Sequence, residues 1–302
     1  IVKHAFSAAA LSSCVERTTD CCEKLKQHGE RCLVLQLQGY LFFGNAHRIV
    51  QQARSRLAEK GLPPLDILIL DFRRVEGLDY ATVTSFRRLK QMIEEAGAQL
   101  ALAGLGPDEV GFLTKGGVID PESATVKVFD DWDEALEWHE DRLLDSRPLP
   151  APAGPCDPQG WPGWLVEALP TAEAQGRLQG YLTTFRLAAG EALVRQNEPS
   201  DCLYILYSGR ASIYLQEAGV RVRVKTYLAG TVIGEIGLYL SEPRTATVVV
   251  DNEVSGARLD QEAFQRMWDN DPDIARAFDR AILILLGRRL AETNRLLTSV
   301  MR

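Results

Sequence analysis

A proline-rich segment divides this chain into two stretches whose sequence patterns differ. The segment, DSRPLPAPAGPCDPQGWPGW, occupies residues 145–164 and holds six prolines. Proline fixes φ and has no backbone N–H, so a segment this rich in proline favours an extended linker over a helix or a sheet interior. We therefore predict two folded regions, residues 1–144 and residues 165–302, joined by a linker over 145–164. A chain of 302 residues is long enough for two domains of ordinary size.

In the first region, short apolar runs alternate with stretches of helical periodicity. This alternation predicts an α/β domain with a mixed, largely parallel sheet and flanking helices. In the helix predicted at 81–97, Val83, Phe86, Leu89 and Ile93 share one face, which we expect to be buried. The predicted strands are residues 32–43, 65–72, 98–105 and the start of 126–144. The predicted helices are one between Cys14 and Cys32, then 45–61, 81–97 and the remainder of 126–144.

Several polar residues of this region are interpreted as structural. Asn45 and Asp79 precede the two long helices, and both side chains can accept a hydrogen bond as N-caps. Asp71 follows a buried strand, but no histidine, glycine-rich loop or metal-binding set converges on it or on Asp79. The histidines lie in helical or terminal segments of mixed polarity and are predicted to be at the surface: His4, His28, His47 and His139.

After the linker, the pattern changes to short strands at close spacing. Glycines punctuate these strands at intervals of about ten residues, which is typical of a β-barrel or roll. From Gln261 to about Leu297 the periodicity becomes helical again. We therefore predict an all-β roll or jelly roll with helices at its ends. The punctuating glycines are Gly190, Gly209, Gly219, Gly230 and Gly234.

Composition and charge argue against several classes of function. The formal net charge is −7 and the basic residues are scattered, so the surface expected of a nucleic-acid-binding protein is missing. The apolar run AILILLG at 281–287 is far shorter than the roughly 20 residues that span a bilayer. The six cysteines form no C-x-x-C pair and lie near no histidine at metal-ligand spacing, so we predict reduced structural thiols and no metal site.

One stretch of the second region, GEIGLYLSEPRTATV at 234–248, carries groups that suit a phosphorylated sugar. The turn at Gly234 and the helical turn after it present free backbone N–H groups, which bind anions. Arg244, which follows Pro243, offers a planar fork for phosphate oxygens. Glu235 can accept a hydrogen bond from a sugar hydroxyl. The stretch therefore predicts a phosphosugar ligand, unless Glu235 and Arg244 simply form a salt bridge with each other.

This stretch resembles the phosphate-binding cassette of the cyclic nucleotide-binding domain, and SDCLYILYSGRASIYL resembles the strands of that family. The resemblance covers about residues 165–295. It implies that Glu235 accepts from the ribose 2′-hydroxyl and that Arg244 pairs with the cyclic phosphate of cAMP or cGMP. Two positions depart from the family, because Gly237 stands where alanine is common and Ile233 where phenylalanine is common. The implied binding residues are Gly234, Glu235, Ile236, Gly237, Arg244 and Thr245.

Two stretches of the first region, VLQLQGYLFFGNA and LILDFRRVEGLDYATVTSFRRL, resemble the STAS domain. That domain is shared by bacterial anti-sigma-factor antagonists and the cytoplasmic parts of SulP-type anion permeases, and GYLFFGNA is closer to the permease branch. In the antagonists a phosphorylated serine follows the aspartate that Asp79 matches, but here Tyr80 stands there. The serine-kinase switch is therefore not carried over, and Thr82, Thr84 and Ser85 are interpreted as ordinary helix-start residues.

The two resemblances imply the cytosolic regulatory region of a SulP-type anion or sulfate transporter, at the cytoplasmic face of a membrane. The chain begins at Ile1 without an initiator methionine, and we expect its implied partner, the transmembrane transporter domain, to precede it. Cyclic nucleotide in the roll is expected to act on transport through the STAS domain, without catalysis by this chain. A second copy of the chain is a further expected partner, and nucleic acid is not. The alternative is a soluble STAS-based signalling protein that binds a protein partner under cyclic-nucleotide control.

Overall fold

The computed structural model describes residues 2–17, 19–120, 122–146, 161–217 and 220–300. The chain divides into two compact units. Unit 1 comprises residues 1–13 and 18–148, and unit 2 comprises residues 14–17 and 149–302. Four residues near the N-terminus therefore belong to the second unit.

Unit 1 alternates strands and helices along the chain. Its elements are β1 (Val2–Ser7), α1 (Thr19–His28), β2 (Cys32–Leu41), α2 (Phe43–Ala58), β3 (Ile67–Leu78), α3 (Tyr80–Glu95), β4 (Gln99–Ala103), α4 (Pro107–Lys115), β5 (Val126–Phe129) and α5 (Trp132–Ser146). The strands form one sheet in the order β1-β2-β3-β4-β5, in which β1 is antiparallel to β2 and the other neighbours are parallel. This mixed sheet with flanking helices confirms the predicted fold class, although β1 and α4 were not predicted.

The central strands of this sheet are buried on both faces. Successive side chains point to opposite faces of a strand, so Leu68 and Leu70 pack against α2 and α3, while Ile67 and Ile69 pack against α5. The four apolar residues predicted to share a face of α3 all lie in the first of these cores. A strand buried on both sides is what the continuous apolar run LDILILDF predicts.

The structure confirms one of the two predicted N-caps and corrects the other. Asp79 accepts a hydrogen bond from the backbone N–H of Thr82 at 2.7 Å and begins α3. Asn45 is not an N-cap, because α2 begins two residues earlier, after the extended Phe42. From the third helical position, the Asn45 side chain accepts from the N–H of Phe42 and donates to the carbonyl of Tyr40, both at 2.8 Å. Asn45 therefore lies in the first turn of α2 and bonds to backbone groups of the preceding residues Tyr40 and Phe42.

His139 contradicts the prediction that the histidines lie at the surface. It is 5% exposed and lies on the buried side of α5. Burial lowers its pKa from 6.5 to about 4. His139 follows Leu136 by three positions and precedes Leu143 by four, and both leucines are buried. The helical period therefore placed it on the apolar side, and the many charged residues around it in the sequence concealed this.

Unit 2 is rich in short strands. Its described elements are α6 (Gly163–Ala168), α7 (Ala172–Gln179), β6 (Thr183–Leu187), β7 (Ala192–Val194), β8 (Cys202–Ser208), β9 (Arg210–Glu217), β10 (Val220–Leu228), β11 (Val232–Ile233), α8 (Glu235–Leu240), β12 (Thr247–Val250), β13 (Val254–Asp260), α9 (Gln261–Asn270) and α10 (Pro272–Val300). The strands form two antiparallel sheets, ordered β10-β9-β12-β7 and β11-β8-β13-β6. This is the predicted roll with helices at its ends.

Part of the segment predicted as a linker, residues 147–160, lies outside the described residues. On its N-terminal side, α5 runs to Ser146. On its C-terminal side, Trp161 is buried in a core with residues of α9 and α10, and α6 begins at Gly163. In the part of the chain that the structure describes, no helix combines the length and apolar character needed to cross a bilayer.

Candidate ligand-binding site

The turn between β11 and α8 depends on glycine at position 234. Gly234 has a φ of +86°, in the left-handed region. Any residue that has a Cβ is strained in this conformation, whereas glycine adopts it freely. A Cβ at this position would also lie 2.2 Å from Nη1 of Arg244. The backbone therefore approaches the arginine more closely than any other residue type allows, and the first N–H groups of α8 follow directly.

Gly237, one of the two departures from the cyclic-nucleotide-binding pattern, is also explained by space. A Cβ built there would lie 1.8 Å from Oγ of Ser200 and 2.3 Å from its Cβ. Alanine, which is common at this position in the family, would force the Ser200 loop or α8 to shift. Gly237 is buried, so the close approach is part of the packed structure.

Arg244 is a buried cation whose hydrogen-bond partners are neutral. It is 6% exposed, and its Nη2 donates to the carbonyl of Cys202 at 2.8 Å, while Nη1 donates to the carbonyl of Gly234 at 3.3 Å. The guanidinium also lies 6.0 Å from the centroid of the Tyr204 ring. Among the described residues, no carboxylate lies within ion-pair distance of Arg244. A buried charge without a counter-charge is costly, and an anionic ligand would remove that cost.

Glu235, the first residue of α8, is also buried and has a different partner. It is 5% exposed, and its Oε1 accepts a hydrogen bond from Nη1 of Arg289 at 2.7 Å. The salt bridge between Glu235 and Arg244 that the sequence left open is therefore not formed. Glu235 and Arg244 instead line the same cavity, and each has its own hydrogen-bond partners.

All six predicted site residues line one cavity of about 100 Å³. Its remaining lining is mostly apolar and comes from both sheets of the roll, with Val194, Ile213 and Val248 from one sheet and Ile233 from the other. Pockets that hold small organic ligands usually measure about 300–1,000 Å³, so side chains at this cavity must move apart to admit a nucleotide. Of the six predicted site residues, Ile236 and Thr245 are exposed, whereas Glu235, Gly237 and Arg244 are buried.

Arg289 is a residue of this site that sequence reasoning missed. It lies on α10, is buried, and donates to Oγ1 of Thr231 at 2.5 Å and to the carbonyl of Val232 at 3.0 Å. Its guanidinium lies 4.6 Å from the centroid of the Tyr227 ring. A signal was present in the sequence, because Arg289 follows the buried Ile282 by seven positions on α10 and so shares its apolar face.

The charges around Arg289 keep it protonated. Burial opposes its charge, but the carboxylates of Glu16 and Glu235 help to raise the Arg289 pKa above its ordinary value. The Tyr227 hydroxyl has a raised pKa, chiefly because it is buried, so the phenol stays neutral beneath the guanidinium. Arg289 is therefore a fixed cation bonded to Glu235.

The candidate residues of unit 1 do not form a comparable site. Asp71 is buried and accepts from both Nε and Nη2 of Arg73, at 3.0 and 2.9 Å. Tyr80 begins α3 and is 69% exposed, whereas Thr82 is fully buried and donates to Asp79. Each acid of this set therefore has its partner within a few residues. In the described ranges, no three or more His, Cys, Asp or Glu side chains converge as a metal site would require.

Comparison with known families identifies both units. The STAS domain matches residues 23–135, and the cyclic nucleotide-binding domain matches residues 184–271. Together with the fold and the cavity, these matches establish that the chain contains both domains. Both are regulatory domains and neither is catalytic.

Relatives among characterised proteins share parts of this chain. The cAMP-dependent protein kinase regulatory subunit of Emericella nidulans is 33% identical over 31% of this chain and 22% of its own length. The corresponding subunit of Aspergillus niger is 26% identical over 84% of this chain and 63% of its own. Glutaminase 2 of Bradyrhizobium diazoefficiens is 26% identical over 86% of this chain and 40% of its own. The chain thus spans less than two thirds of each of these relatives.

Proposed function

For a chain that joins a STAS domain to a cyclic nucleotide-binding domain, we propose a regulatory function in which the roll binds a cyclic purine nucleotide and the STAS domain transmits the response. The observation that carries this proposal is the unpaired arrangement of Glu235 and Arg244 on one cavity. Arg244 supplies a buried cation for the cyclic phosphate, and Glu235 supplies an acceptor for the ribose 2′-hydroxyl.

Calorimetric titration of the whole chain with cAMP and cGMP tests the proposal. We expect one of them to bind with a dissociation constant below 1 mM, and 5′-AMP, which lacks the cyclic phosphate, to bind more weakly. Circular dichroism of the same sample establishes that the chain is folded. If a folded chain binds neither cyclic nucleotide at millimolar concentration, the cavity is a structural remnant and the proposed function is wrong.

We further propose that this regulatory region belongs to a SulP-type anion or sulfate transporter and works at the cytoplasmic face of a membrane. The support is the GYLFFGNA stretch of the STAS domain, which resembles the permease branch. Reading the coding sequence upstream of the Ile1 codon tests the proposal, since several apolar helices of about 20 residues are expected there. Sulfate uptake into vesicles that carry the full-length protein, with and without cAMP, would then measure the coupling.

Two alternatives place the same regulatory region elsewhere. In one, the chain is part of a soluble signalling protein whose STAS domain binds a partner protein under nucleotide control. In the other, it regulates an attached enzyme, which is favoured by the match of 86% of this chain to Glutaminase 2 of Bradyrhizobium diazoefficiens. The upstream coding sequence separates the three, because it would encode transmembrane helices, a start codon or a catalytic domain.

A second copy of the chain is the partner that α10 suits best. Leu283 and Leu290 are seven residues apart and more than 60% exposed, and Leu297 continues the spacing in the sequence. Leucines that repeat every seven residues pack against an identical helix in a two-stranded coiled coil. Light scattering after gel filtration should give a dimer for the wild type and a monomer for the Leu283→Lys, Leu290→Lys double variant. A wild-type monomer at high concentration would contradict this.

We also propose that the two domains fold independently on either side of the proline-rich segment at residues 145–164. The support is the composition of residues 145–164 and the division of the chain into two compact units. Limited proteolysis should cut first within this segment and leave two resistant fragments. A first cut within residues 65–105, or a single resistant core, would contradict the boundary.

A further inference from the structure

A short segment from the N-terminal end of the chain is part of unit 2. Val15 pairs in parallel with Thr226 of β10. The N–H of Glu16 donates to the carbonyl of Thr226 at 2.9 Å, and the N–H of Thr226 donates to the carbonyl of Cys14 at 3.0 Å. Because β10 is at the edge of its sheet, residues 14–17 add a short piece of strand to that edge.

The carboxylate of Glu16 reaches the guanidinium that holds Glu235. Oε1 of Glu16 accepts from Nε of Arg289 at 3.2 Å, and Oε2 lies 3.3 Å from Nζ of Lys225. Nη1 of the same arginine donates to Glu235 at 2.7 Å. One guanidinium therefore joins a carboxylate at position 16 to the carboxylate at position 235, and both contacts are largely shielded from water.

This geometry fixes the direction of the Glu235 side chain. A guanidinium is planar and rigid, so the bonds at Nε to Glu16 and at Nη2 to Thr231 and Val232 together determine where Nη1 points. Nη1 of Arg289 donates to Oε1 of Glu235. Among the described residues, no donor contacts the other carboxylate oxygen, Oε2. The free oxygen is the one that would accept from a ribose hydroxyl. Without Glu16, Arg289 loses its anchor at Nε and the carboxylate gains rotational freedom.

We propose that Glu16 and Arg289 are positioning residues for Glu235, so that docking of residues 14–17 and binding of cyclic nucleotide strengthen each other. The proposal rests on the proposed function, since the ligand that Glu235 accepts from is the nucleotide ribose. Coupling of this kind is reciprocal: nucleotide holds Glu235, Glu235 holds Arg289, and Arg289 holds Glu16. Residues 14–17 are followed and preceded in the sequence by residues of unit 1, so the coupled segment connects the nucleotide site to the STAS domain through the backbone.

The first experiment compares cAMP with 2′-deoxy-cAMP on the full chain and on Glu16→Gln, which removes the charge and keeps the shape. Because the positioning acts through Glu235, the variant should bind cAMP at least about 5-fold more weakly while its affinity for the 2′-deoxy analogue is nearly unchanged. Asp273→Asn is the matched control, since it removes one exposed carboxylate near the start of α10 and should leave both affinities as in the wild type.

The outcomes of this titration are distinct. Equal losses for both nucleotides would mean that Glu16 merely stabilises the fold, and tighter binding by Glu16→Gln would mean that it competes with the ligand. Either result overturns the proposal. Arg289→Lys keeps the charge but lacks the fork that can contact Glu16 and Glu235 together, so it should show the same selective loss as Glu16→Gln.

A second experiment needs no nucleotide and therefore separates this proposal from the proposed function. The amide protons of Glu16 and Thr226 are bonded across the added strand, and hydrogen exchange measures how often that strand opens. Both Arg289→Lys and Glu235→Gln should accelerate exchange at these two amides and leave β3 of unit 1 unchanged. If exchange at Glu16 and Thr226 is the same in both variants as in wild type, Arg289 does not hold the segment and the proposal fails, whatever the chain binds.

Discussion

Each unit contains a buried acidic residue close in sequence to an arginine, Asp71 and Arg73 on β3 and Glu235 and Arg244 around α8, but the two pairs differ in what they contact. In unit 1, Asp71 and Arg73 bond to each other through two parallel hydrogen bonds. In unit 2, Glu235 and Arg244 line one cavity and do not pair: Glu235 bonds to Arg289, and Arg244 bonds to carbonyl groups. Asp71 and Arg73 therefore satisfy each other, whereas Arg244 and Glu235 leave a cation and an acceptor oxygen at the same cavity.

This difference explains why only one of the two pairs suits a ligand. An ion pair that is satisfied internally, such as Asp71 with Arg73, offers no free energy to a ligand, because binding would first have to break it. A buried arginine with only neutral partners gains a counter-charge when an anion arrives. Separate partners for Glu235 and Arg244 are therefore what distinguishes the candidate site, and the sequence spacing alone could not reveal them.

The largest expected effect separates the two arginines. Arg244→Ala should weaken cyclic nucleotide binding by roughly 30-fold to several thousand-fold, because loss of a desolvated charged partner typically costs about 2–5 kcal/mol. Arg73→Ala should leave the affinity unchanged, because its partner lies in unit 1. Calorimetric titration of both variants measures the contrast.

Arg244 also bonds to Cys202 and Gly234, so its removal can loosen the turn. Arg244→Lys controls for this effect, since it keeps the positive charge but not the fork, and it should show an intermediate affinity. Thermal unfolding of all three variants identifies any loss of fold. Binding by a folded Arg244→Ala chain as tight as wild type would show that the two pairs are alike and that both are structural.

Acid should destabilise unit 1 through His139. Burial lowers the His139 pKa to about 4. As the pH falls through 6.5, His139 therefore takes up a proton in the unfolded chain but stays neutral in the folded chain. Stability is therefore complete above pH 6.5 and falls as the pH approaches 4, by an amount on the order of 3 kcal/mol. Urea unfolding between pH 7 and 4, followed by hydrogen exchange in β3, should show this fall. The neutral variant His139→Leu should flatten the profile, and an unchanged slope would mean that other groups cause it.

The two carboxylates should differ next. Glu235→Ala should weaken cAMP binding by about 10- to 150-fold, the equivalent of a charged hydrogen bond of about 1.5–3 kcal/mol, and should erase the preference over 2′-deoxy-cAMP. Asp71→Ala should instead lower the unfolding midpoint of unit 1 and leave both affinities intact, because it removes the hydrogen bonds that buried Asp71 accepts from Arg73 and Gln36. A Glu235→Ala chain that still prefers the ribose ligand would place the 2′-hydroxyl elsewhere.

The smallest expected effect concerns Tyr80, where the antagonist branch of the STAS family has a phosphorylated serine. A serine kinase of that type should transfer no stoichiometric phosphate to unit 1. Thr82 is fully buried and bonded to Asp79, and Ser85 is buried and donates to the carbonyl of Ala81. Mass spectrometry after incubation with such a kinase checks this. Phosphate on Thr82 or Ser85 that changes partner binding would contradict this prediction and show that a phosphorylation switch is present.

Much of the fold and most of the site could be predicted from the sequence because the signals are local. The apolar runs of β2, β3 and β4 and the one-sided helix α3 follow from side-chain periodicity over a few residues. The six cavity residues lie within twelve consecutive positions, so a turn and a short helix bring them together without help from distant parts of the chain. The start of α2 could not be fixed to the residue, because Asn45 can satisfy Phe42 from inside the helix.

The sequence by itself determined the two fold classes, the Gly234 turn, and the side chains that face the cavity. Only the tertiary structure decided what those side chains bond to: Arg289 lies 54 positions from Glu235, and Glu16 lies 273 positions from Arg289. The helical period placed His139 on the apolar side of α5, and the tertiary structure decided that this side is covered. The physical reason is that periodicity and turn chemistry act between neighbours in the chain, whereas the partner of a buried charge is whichever group packing brings within about 3 Å of it.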